Sequence, residues 1–330
     1  MPSPRLTRRR MITISAAAAG SLVAGRLFAA TTTEPVRWRG SALGAQVSIE
    51  MFHPDRVEAE RLIARSIAEV RRLEGLFSLY QPSSAICELN RTGMLIAPDP
   101  DMVALLRASL SFADLTGGAF DPTVQPLWRL YQDHFAAEHA DPAGPSSLHL
   151  AAALAKVGYS QLRVDDDRIV LHRRGAAITL NGIAQGYATD RVVDLLRRAG
   201  VSTTLVDMGE IRALAARPDG TPWQVGLADA ERPGHISETI PLVDRAVATS
   251  AATGFRFDPD GRFTHLFDPH SGRSPALYRS VSVVAPTATE ADALSTAFSL
   301  MPLAAIRGLV ASRPAVEVHL VDRDGNSLRA

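Results

Sequence analysis

The sequence is poor in cysteine, with Cys87 the only one among 330 residues. An intramolecular disulfide is therefore impossible, and the fold must be held together by its hydrophobic core. Paired cysteines and a His-x-x-x-His pattern are both absent, which argues against a zinc site. At this length the chain can form one large or two ordinary domains with a sizeable core.

The sequence also lacks an excess of either charge. Lys plus Arg and Asp plus Glu each total 35, so the formal net charge is zero. Proteins that bind nucleic acid usually carry a basic excess on one face. No nucleic-acid partner is therefore expected.

The first thirty residues differ from the rest of the chain. A twin arginine within Thr7–Ile12 precedes an apolar, alanine-rich run that continues to about Ala30, and no acidic residue occurs before Glu34. This pattern is typical of a signal peptide for the twin-arginine export route. An N-terminal membrane anchor is the alternative, although glycines in the run make a weak spanning helix. We expect residues 1–30 to be the signal peptide, residues 31–330 to form the mature domain, and the protein to reside in the periplasm.

Helices and strands are mixed without regular alternation. Apolar residues at helical spacing predict helices over 55–76, 183–198 and 288–301. Short apolar runs predict strands over 38–52, 203–207, 211–215, 223–227, 236–242, 246–249, 263–267, 280–284 and 316–321. This order predicts an α+β fold with mainly antiparallel sheets and packed helices.

A glycine-containing turn joins two predicted elements near the middle of the chain. Residues 176–180 read as the end of a strand, and Asn181, Gly182 and Gly186 lead from there into the helix over 183–198. Backbone N–H groups at such a helix start suit a phosphate or another anion. A tight turn that needs glycine for its backbone angles is the alternative.

A helix near the end of the chain carries an acid and a hydroxyl on one face. Asp292 and Thr296 are four residues apart, so both side chains project from the same side near the N-terminus of the helix. This pair of hard oxygen donors suits Mg²⁺. Helix capping by an acid in the first turn is the alternative.

One histidine is a candidate for proton transfer. His265 lies in an apolar segment predicted as a strand and titrates near neutral pH, so it could exchange a proton with a hydroxyl. A structural histidine is the alternative. Ser250 has no histidine and acid at a recognisable spacing, which argues against a serine hydrolase.

Six segments in a fixed order resemble the ApbE family of FAD:protein FMN transferases. They are Leu43-Gly44, the segment from Leu76 to Asn90 with Tyr80, the run from Thr116 to Thr123, the run from Gly182 to Asp190, His265 with Asp268-Pro269 and Gly272, and the run from Ala291 to Ala297. The resemblance spans residues 38 to about 310. It implies a two-lobed α+β architecture related to the T-fold.

The resemblance implies a magnesium-dependent enzyme with FAD as its substrate. Such an enzyme transfers FMN to a threonine or serine hydroxyl of a partner flavoprotein and releases AMP. By position in the motifs, the flavin nucleotide would contact Leu43, Tyr80, Ala119, Phe120, Asp121 and Gln185. The metal would be held by Asp292, Thr296 and the backbone carbonyl of Ala184, and His265 would be the catalytic residue near the pyrophosphate.

The sequence departs from the family pattern at several positions of these motifs. The departures are Leu43-Gly44-Ala45 for the usual Met-Gly-Thr, Thr179 for an acid, Asn181 for a glycine, Gln185 for a lysine, Glu210 after a single Gly209, and Ala251 for a glycine. This set resembles ApbE-like proteins linked to nitrous-oxide respiration, whose partner would belong to a membrane-bound respiratory complex. One alternative keeps the same site but uses water as the acceptor, which would make the protein an FAD pyrophosphatase. Another, from a different class, is a non-catalytic flavin-binding accessory protein of a respiratory complex.

Overall fold

The structure is a computed structural model that describes residues 34–330 except Pro233 and Ala276. The predicted signal peptide, residues 1–30, lies outside the described residues. Within the described part of the chain, no helix combines the length and apolar composition needed to cross a bilayer.

A large antiparallel sheet forms the centre of the molecule. Its eight strands are β1 (Val36–Ala42), β2 (Ala45–Met51), β6 (Thr204–Asp207), β7 (Ile211–Leu214), β10 (Ala246–Ala251), β11 (Tyr278–Ala285), β12 (Glu317–Asp322) and β13 (Ser327–Arg329). They are hydrogen-bonded in the order β1-β2-β6-β7-β10-β11-β12-β13. Every neighbouring pair is antiparallel.

Two smaller sheets complete the β structure described. One has the order β3-β5-β4 and is built from β3 (Met94–Ile96), β4 (Leu162–Val164) and β5 (Arg168–Leu171). The other is the hairpin of β8 (Trp223–Ala228) and β9 (Ile236–Leu242).

Eight α-helices lie within the described residues. They are α1 (Arg56–Phe77), α2 (Ala85–Thr92), α3 (Pro100–Leu115), α4 (Gln125–Ala136), α5 (Ser147–Leu154), α6 (Ala184–Arg198), α7 (Ala288–Phe298) and α8 (Leu303–Val310). Their starts follow local capping chemistry. The carboxylate of Asp55 accepts the N–H groups of Val57 and Glu58 at the start of α1, and α3 begins with Asp99 followed by Pro100.

The large sheet is covered on both faces. Helices α1, α6 and α7 pack against one face, and the β8–β9 hairpin covers the other. Strand β10 shows the alternation that this requires, because Ala246 and Ala248 face the helices whereas Val247 faces the hairpin. The predicted α+β class with mainly antiparallel sheets is confirmed.

The predicted strand over 38–52 is a hairpin instead. Leu43 and Gly44 have positive φ angles of 50° and 77°, and they turn the chain between β1 and β2. A leucine at positive φ carries no sequence signal, since this conformation normally favours glycine or asparagine.

Two other predicted strands are wrong, and side-chain hydrogen bonds explain both. Residues 176–180 belong to no strand, because Asn90 bonds the backbone of Ile178 through both the N–H and the oxygen of its side-chain amide, in place of a neighbouring strand. Residues 263–267 fold back on 255–258, where the carboxylate of Asp258 accepts the N–H of Phe263 and the only ladder contact described is an isolated bridge. His265 therefore lies in an irregular segment rather than a strand.

Candidate active site

One cavity of about 350 Å³ opens where α6, α7 and several loops meet. All ten residues singled out from the sequence line it: Leu43, Tyr80, Ala119, Phe120, Asp121, Ala184, Gln185, His265, Asp292 and Thr296. Residues up to about 250 positions apart in the chain are thus brought to one site. The individual roles assigned to them remain predictions.

Close contact between two helices fixes the carboxylate at the cavity floor. Asp292 on α7 accepts the backbone N–H of Gly186 on α6 at 2.9 Å. A Cβ on Gly186 would lie 2.3 Å from the carbonyl oxygen of Ala288, so only glycine lets the helices approach this closely. The Asp292 carboxylate therefore satisfies a free N–H in the first turn of α6.

The capping alternative for Asp292 does not hold for its own helix. Helix α7 is capped by Thr287, whose hydroxyl accepts the N–H of Glu290, and by Asp190, which accepts the two preceding N–H groups. Asp292 lies one turn further along. Thr296 lies a turn beyond that, in the last turn of α7 rather than near its N-terminus.

The glycine turn serves close approach rather than unusual backbone angles. Gly182 and Gly186 are not among the glycines with positive φ. A Cβ on Gly182 would lie 2.8 Å from Oγ1 of Thr296. The turn that precedes α6 and the Thr296 hydroxyl of α7 are therefore in contact at the cavity wall.

Hydroxyl groups surround Thr296. Oγ of Ser250 on β10 lies 3.4 Å from Oγ1 of Thr296 and 2.8 Å from Oγ of Ser295. Ser250 is buried and also lines the cavity. This wall thus offers several neutral oxygen donors beside the carboxylate.

A second buried carboxylate faces the same cavity. Glu210 is 4% exposed, and its pKa is raised well above the ordinary value by burial and by the neighbouring Asp292 and Asp207. Burial likewise raises the pKa of Asp292 to about 7, although the Gly186 N–H opposes this. Sequence reasoning missed Glu210, because an acid between two short apolar strands reads as an ordinary turn residue.

The residues at this wall fit a hard divalent cation. The charged groups that act on Asp292 and Glu210 are other acids, and buried carboxylates without a cation are costly. Carboxylate and hydroxyl oxygens are ligands that Mg²⁺ prefers, and Ala184 in the first turn of α6 also lines the cavity. Among the described residues no group of three or more His, Cys, Asp or Glu is arranged for a metal, so neutral oxygens would complete the set.

Three consecutive acids at the turn between β4 and β5 are another cluster that could attract a cation, but each pairs with an arginine. Asp165, Asp166 and Asp167 pair with Arg163, Arg107 and Arg168, respectively. These exposed pairs leave no reason to assign a metal to the tip.

A hydrogen bond from one ring nitrogen to the backbone orients the imidazole of His265. Its Nδ1 lies 3.3 Å from the carbonyl oxygen of Phe255, so this nitrogen carries the proton in the bonded tautomer and donates it. Nε2 is then free to accept a proton. Burial lowers the pKa of the imidazole, which favours the neutral form at pH 7.

The turn between β1 and β2 forms another wall. The N–H of Leu43 donates to Oε1 of Glu74 at 2.6 Å, and its carbonyl accepts from Nε2 of Gln185 at 3.3 Å. A Cβ on Gly209 would meet the Gln185 side chain at 2.6 Å. Gln185 is therefore held between the turn and Gly209.

The loop after α3 contributes a structural acid. Asp121 is 8% exposed, and it accepts hydrogen bonds from Thr123 N–H, Thr123 Oγ1 and Tyr159 N–H at 2.6–2.9 Å. These bonds engage both carboxylate oxygens, so the side chain shapes the loop that presents Ala119 and Phe120. Burial raises the pKa of Asp121 although these bonds oppose the shift.

Aromatic side chains lie at two levels of the cavity. Tyr80 is 60% exposed at the rim. Trp128, which sequence reasoning missed, lines the wall and packs against Phe255 and Phe257 with ring centroids 4.8 and 4.9 Å apart. An amphipathic helix such as α4 gives no sequence signal that one aromatic residue faces a ligand.

The fold and site define an α+β protein with a cavity walled by buried carboxylates and hydroxyls. The ApbE family model matches residues 43–320, and the chain belongs to this family.

Known proteins of similar sequence and fold agree with this assignment. A Treponema pallidum (strain Nichols) protein named FAD:protein FMN transferase is 31% identical over 71% of this chain and 72% of its own length. A Klebsiella pneumoniae (strain 342) protein of the same name is 29% identical, covering 79% and 77%. The crystal structure of the ApbE protein from Thermotoga maritima superposes with a TM-score of 0.78 and 29% identity, covering 90% of this chain and 97% of that one.

Proposed function

We propose that this protein is a magnesium-dependent FAD:protein FMN transferase. Membership of the ApbE family and the names of its relatives support the activity. The observation that carries the proposal is the meeting of all ten motif residues at one cavity. Asp292, Thr296 and the Ala184 carbonyl are the proposed metal-holding groups.

The proposed reaction moves one phosphoryl-linked group between two oxygens. A threonine or serine hydroxyl of the acceptor attacks the FMN phosphorus of FAD. A new P–O bond to the acceptor forms, the P–O bond to the AMP moiety breaks, and AMP leaves with the bridging oxygen. A bound Mg²⁺ would supply neutralisation of the pyrophosphate charge.

The protein's own residues position the nucleotide and move the proton. The first turn of α6 lines the cavity with the positive end of the helix dipole, which suits phosphate oxygens, although the N–H groups of Ala184 and Gly186 are already bonded to the Leu180 carbonyl and the Asp292 carboxylate. Nε2 of His265 accepts the proton of the attacking hydroxyl, because Nδ1 is already engaged with Phe255. Tyr80 and Phe120 supply aromatic surface for the flavin.

The acceptor is a flavoprotein domain that reaches the cavity with a hydroxyl side chain. We place this reaction in the periplasm because of the twin arginine and apolar run at the N-terminus. The departures from the family pattern favour a partner that belongs to a membrane-bound respiratory complex.

Mass spectrometry of the acceptor tests the proposal. The protein is mixed with FAD, Mg²⁺ and a periplasmic flavoprotein domain, and the intact mass of that domain is recorded. We expect a mass increase equal to one FMN less water, which EDTA prevents.

Two other results would overturn the proposal in different ways. Release of free FMN and AMP without acceptor modification would identify a pyrophosphatase. Tight FAD binding without turnover, with every acceptor and with or without Mg²⁺, would identify a flavin-binding accessory protein.

A further inference from the structure

Asp190 is a buried acid at the end of the glycine-turn motif that the proposed chemistry does not use. It is 9% exposed and lies on α6, one turn beyond Gly186. Its Oδ1 accepts from Nη1 of Arg212 at 2.6 Å and from the N–H of Ala288 at 2.9 Å. Its Oδ2 accepts from the N–H and the hydroxyl of Thr289 at 2.9 and 2.5 Å.

These four bonds connect three elements that meet at the cavity. Asp190 belongs to α6, whose first turn lines the cavity. Ala288 and Thr289 are the first two residues of α7, the helix that carries Asp292 and Thr296. Arg212 lies on β7, two residues after Glu210, and is itself 8% exposed.

Helix α7 is thus held to α6 at two levels, one turn apart. At one level Asp190 takes the free N–H groups that begin α7. At the other level Asp292 takes the N–H of Gly186. The two carboxylates point in opposite directions between the helices, so a shift of the α7 start displaces Asp292 relative to Ala184.

We propose that Asp190 is a positioning residue for the metal site, which sets the distance between the α7 donors and the first turn of α6. The proposal rests on the magnesium-dependent function proposed above. Nη1 of Arg212 bonds the same carboxylate that accepts the two N–H groups and the hydroxyl at the start of α7. Residues that orient metal ligands through hydrogen bonds typically contribute about 10–100-fold to metal affinity.

Metal binding provides a test that is independent of turnover. Mn²⁺ is titrated into the full-length protein as a spectroscopic substitute for Mg²⁺, and free Mn²⁺ is followed by electron paramagnetic resonance, with and without FAD. We expect Asp190→Asn to raise the Mn²⁺ dissociation constant about ten-fold or more. Excess Mg²⁺ should then restore much of the lost transfer rate.

Leu196→Ala is the matched control. Leu196 lies on the same helix but packs with α1 in a separate core cluster, so its truncation lowers stability without touching α7. We expect its Mn²⁺ dissociation constant to match that of the original protein. If Asp190→Asn lowers the melting temperature as Leu196→Ala does and leaves Mn²⁺ affinity within two-fold, the positioning role is wrong.

A milder variant tests the positioning role of Asp190 if Asp190→Asn does not fold. Thr289→Val removes the shortest bond to Asp190 and keeps the size of the side chain. A weakening of Mn²⁺ binding by about three-fold supports the proposal, and an unchanged constant overturns it.

Failure of the proposed function gives a separate signature. If the unmodified protein binds Mn²⁺ but transfers no FMN, the proposed transferase function is wrong. The proposed role of Asp190 in metal binding would be unaffected. Absence of Mn²⁺ binding by the original protein, with and without FAD, would remove the metal site and this inference with it.

Discussion

At the scale of single residues, Asp292 is the most informative side chain in the cavity. The amide in Asp292→Asn can still accept the Gly186 N–H, so the contact between α6 and α7 should persist. The charge that attracts a cation is lost, and we expect metal-dependent transfer to fall by more than about a hundred-fold. Rates measured across a Mg²⁺ titration check this expectation.

Glu290→Gln is the control on the same helix. Glu290 pairs with Arg313 instead of lining the cavity, so its neutralisation should leave the rate and the Mg²⁺ dependence unchanged. Full activity of Asp292→Asn at ordinary Mg²⁺ would rule out Asp292 as a ligand.

His265 makes a prediction about pH. The neutral imidazole is the active form of a proton acceptor, and burial lowers its pKa below 6.5. At saturating Mg²⁺, which keeps Asp292 ionised, turnover should therefore stay constant on going from pH 8 to neutrality and fall once the pH drops below that lowered value. In His265→Gln, we expect slow turnover that no longer falls at low pH. Its FAD dissociation constant should stay within a few-fold of that of the unmodified protein. A parallel loss of turnover and FAD affinity would make His265 a binding residue.

The candidate site could be predicted in large part because motif residues carry chemical signals. Asp292 and Thr296 show their shared face through helical spacing, and His265 is a rare titratable side chain. Glu210 and Trp128 could not be found, since their importance depends on which cavity they face. That information comes only from the packing of distant segments.

At the scale of elements, Gly186 controls how closely α6 and α7 pack. A methyl group there would overlap backbone atoms of Ala288, which cannot rotate away. We expect Gly186→Ala to lower the free energy of unfolding by about 1–3 kcal/mol and to weaken activity as well. Urea denaturation monitored by circular dichroism measures the first effect.

Gly308→Ala is the control, because this glycine also lies within a helix but is not tightly packed. A Cβ on Gly308 in α8 meets nothing within 4 Å, so helix propensity should dominate and stabilise the protein by up to about 1 kcal/mol. If both variants changed stability alike, close helix packing would not explain Gly186.

Helices were easier to predict than irregular segments. The spacing of apolar residues locates α1 within one residue of its observed ends, since a helix depends mainly on local sequence. Residues 176–180 and 263–267 are largely apolar but form no sheet ladder. Their backbone partners are the side chains of Asn90 and Asp258 and nearby carbonyls, which no local pattern reveals.

At the scale of the whole molecule, Asp207 links stability to pH. Burial raises the pKa of this carboxyl from 3.8 to about 7. Between these values the folded protein holds a proton that the unfolded chain has released, so this group's contribution to stability falls as the pH rises. The loss is complete above pH 7.

Asp207→Asn should remove the loss of stability that ionisation of this buried carboxyl causes. The amide oxygen can still accept the N–H of Gly209, and we expect the melting temperature at pH 8 to rise by roughly 2–4 °C. The gain should shrink as the pH approaches 4. Asp133→Asn, at an exposed position, should show no such dependence. An equal gain at both pH values would contradict the linkage.

The strand order also governs how the chain reaches its native state. Strand β2 pairs with β6, and the hydroxyl of Thr204 bonds the carbonyl of Glu50 across 154 residues of sequence. Closing so large a loop costs conformational entropy before the contacts between the strands form and stabilise it, so folding is expected to be slow. During synthesis, the β1–β2 hairpin therefore cannot pair with β6 until more than half of the chain has left the ribosome.

Fragments that end before α7 should not retain FAD, because they lack one wall of the cavity.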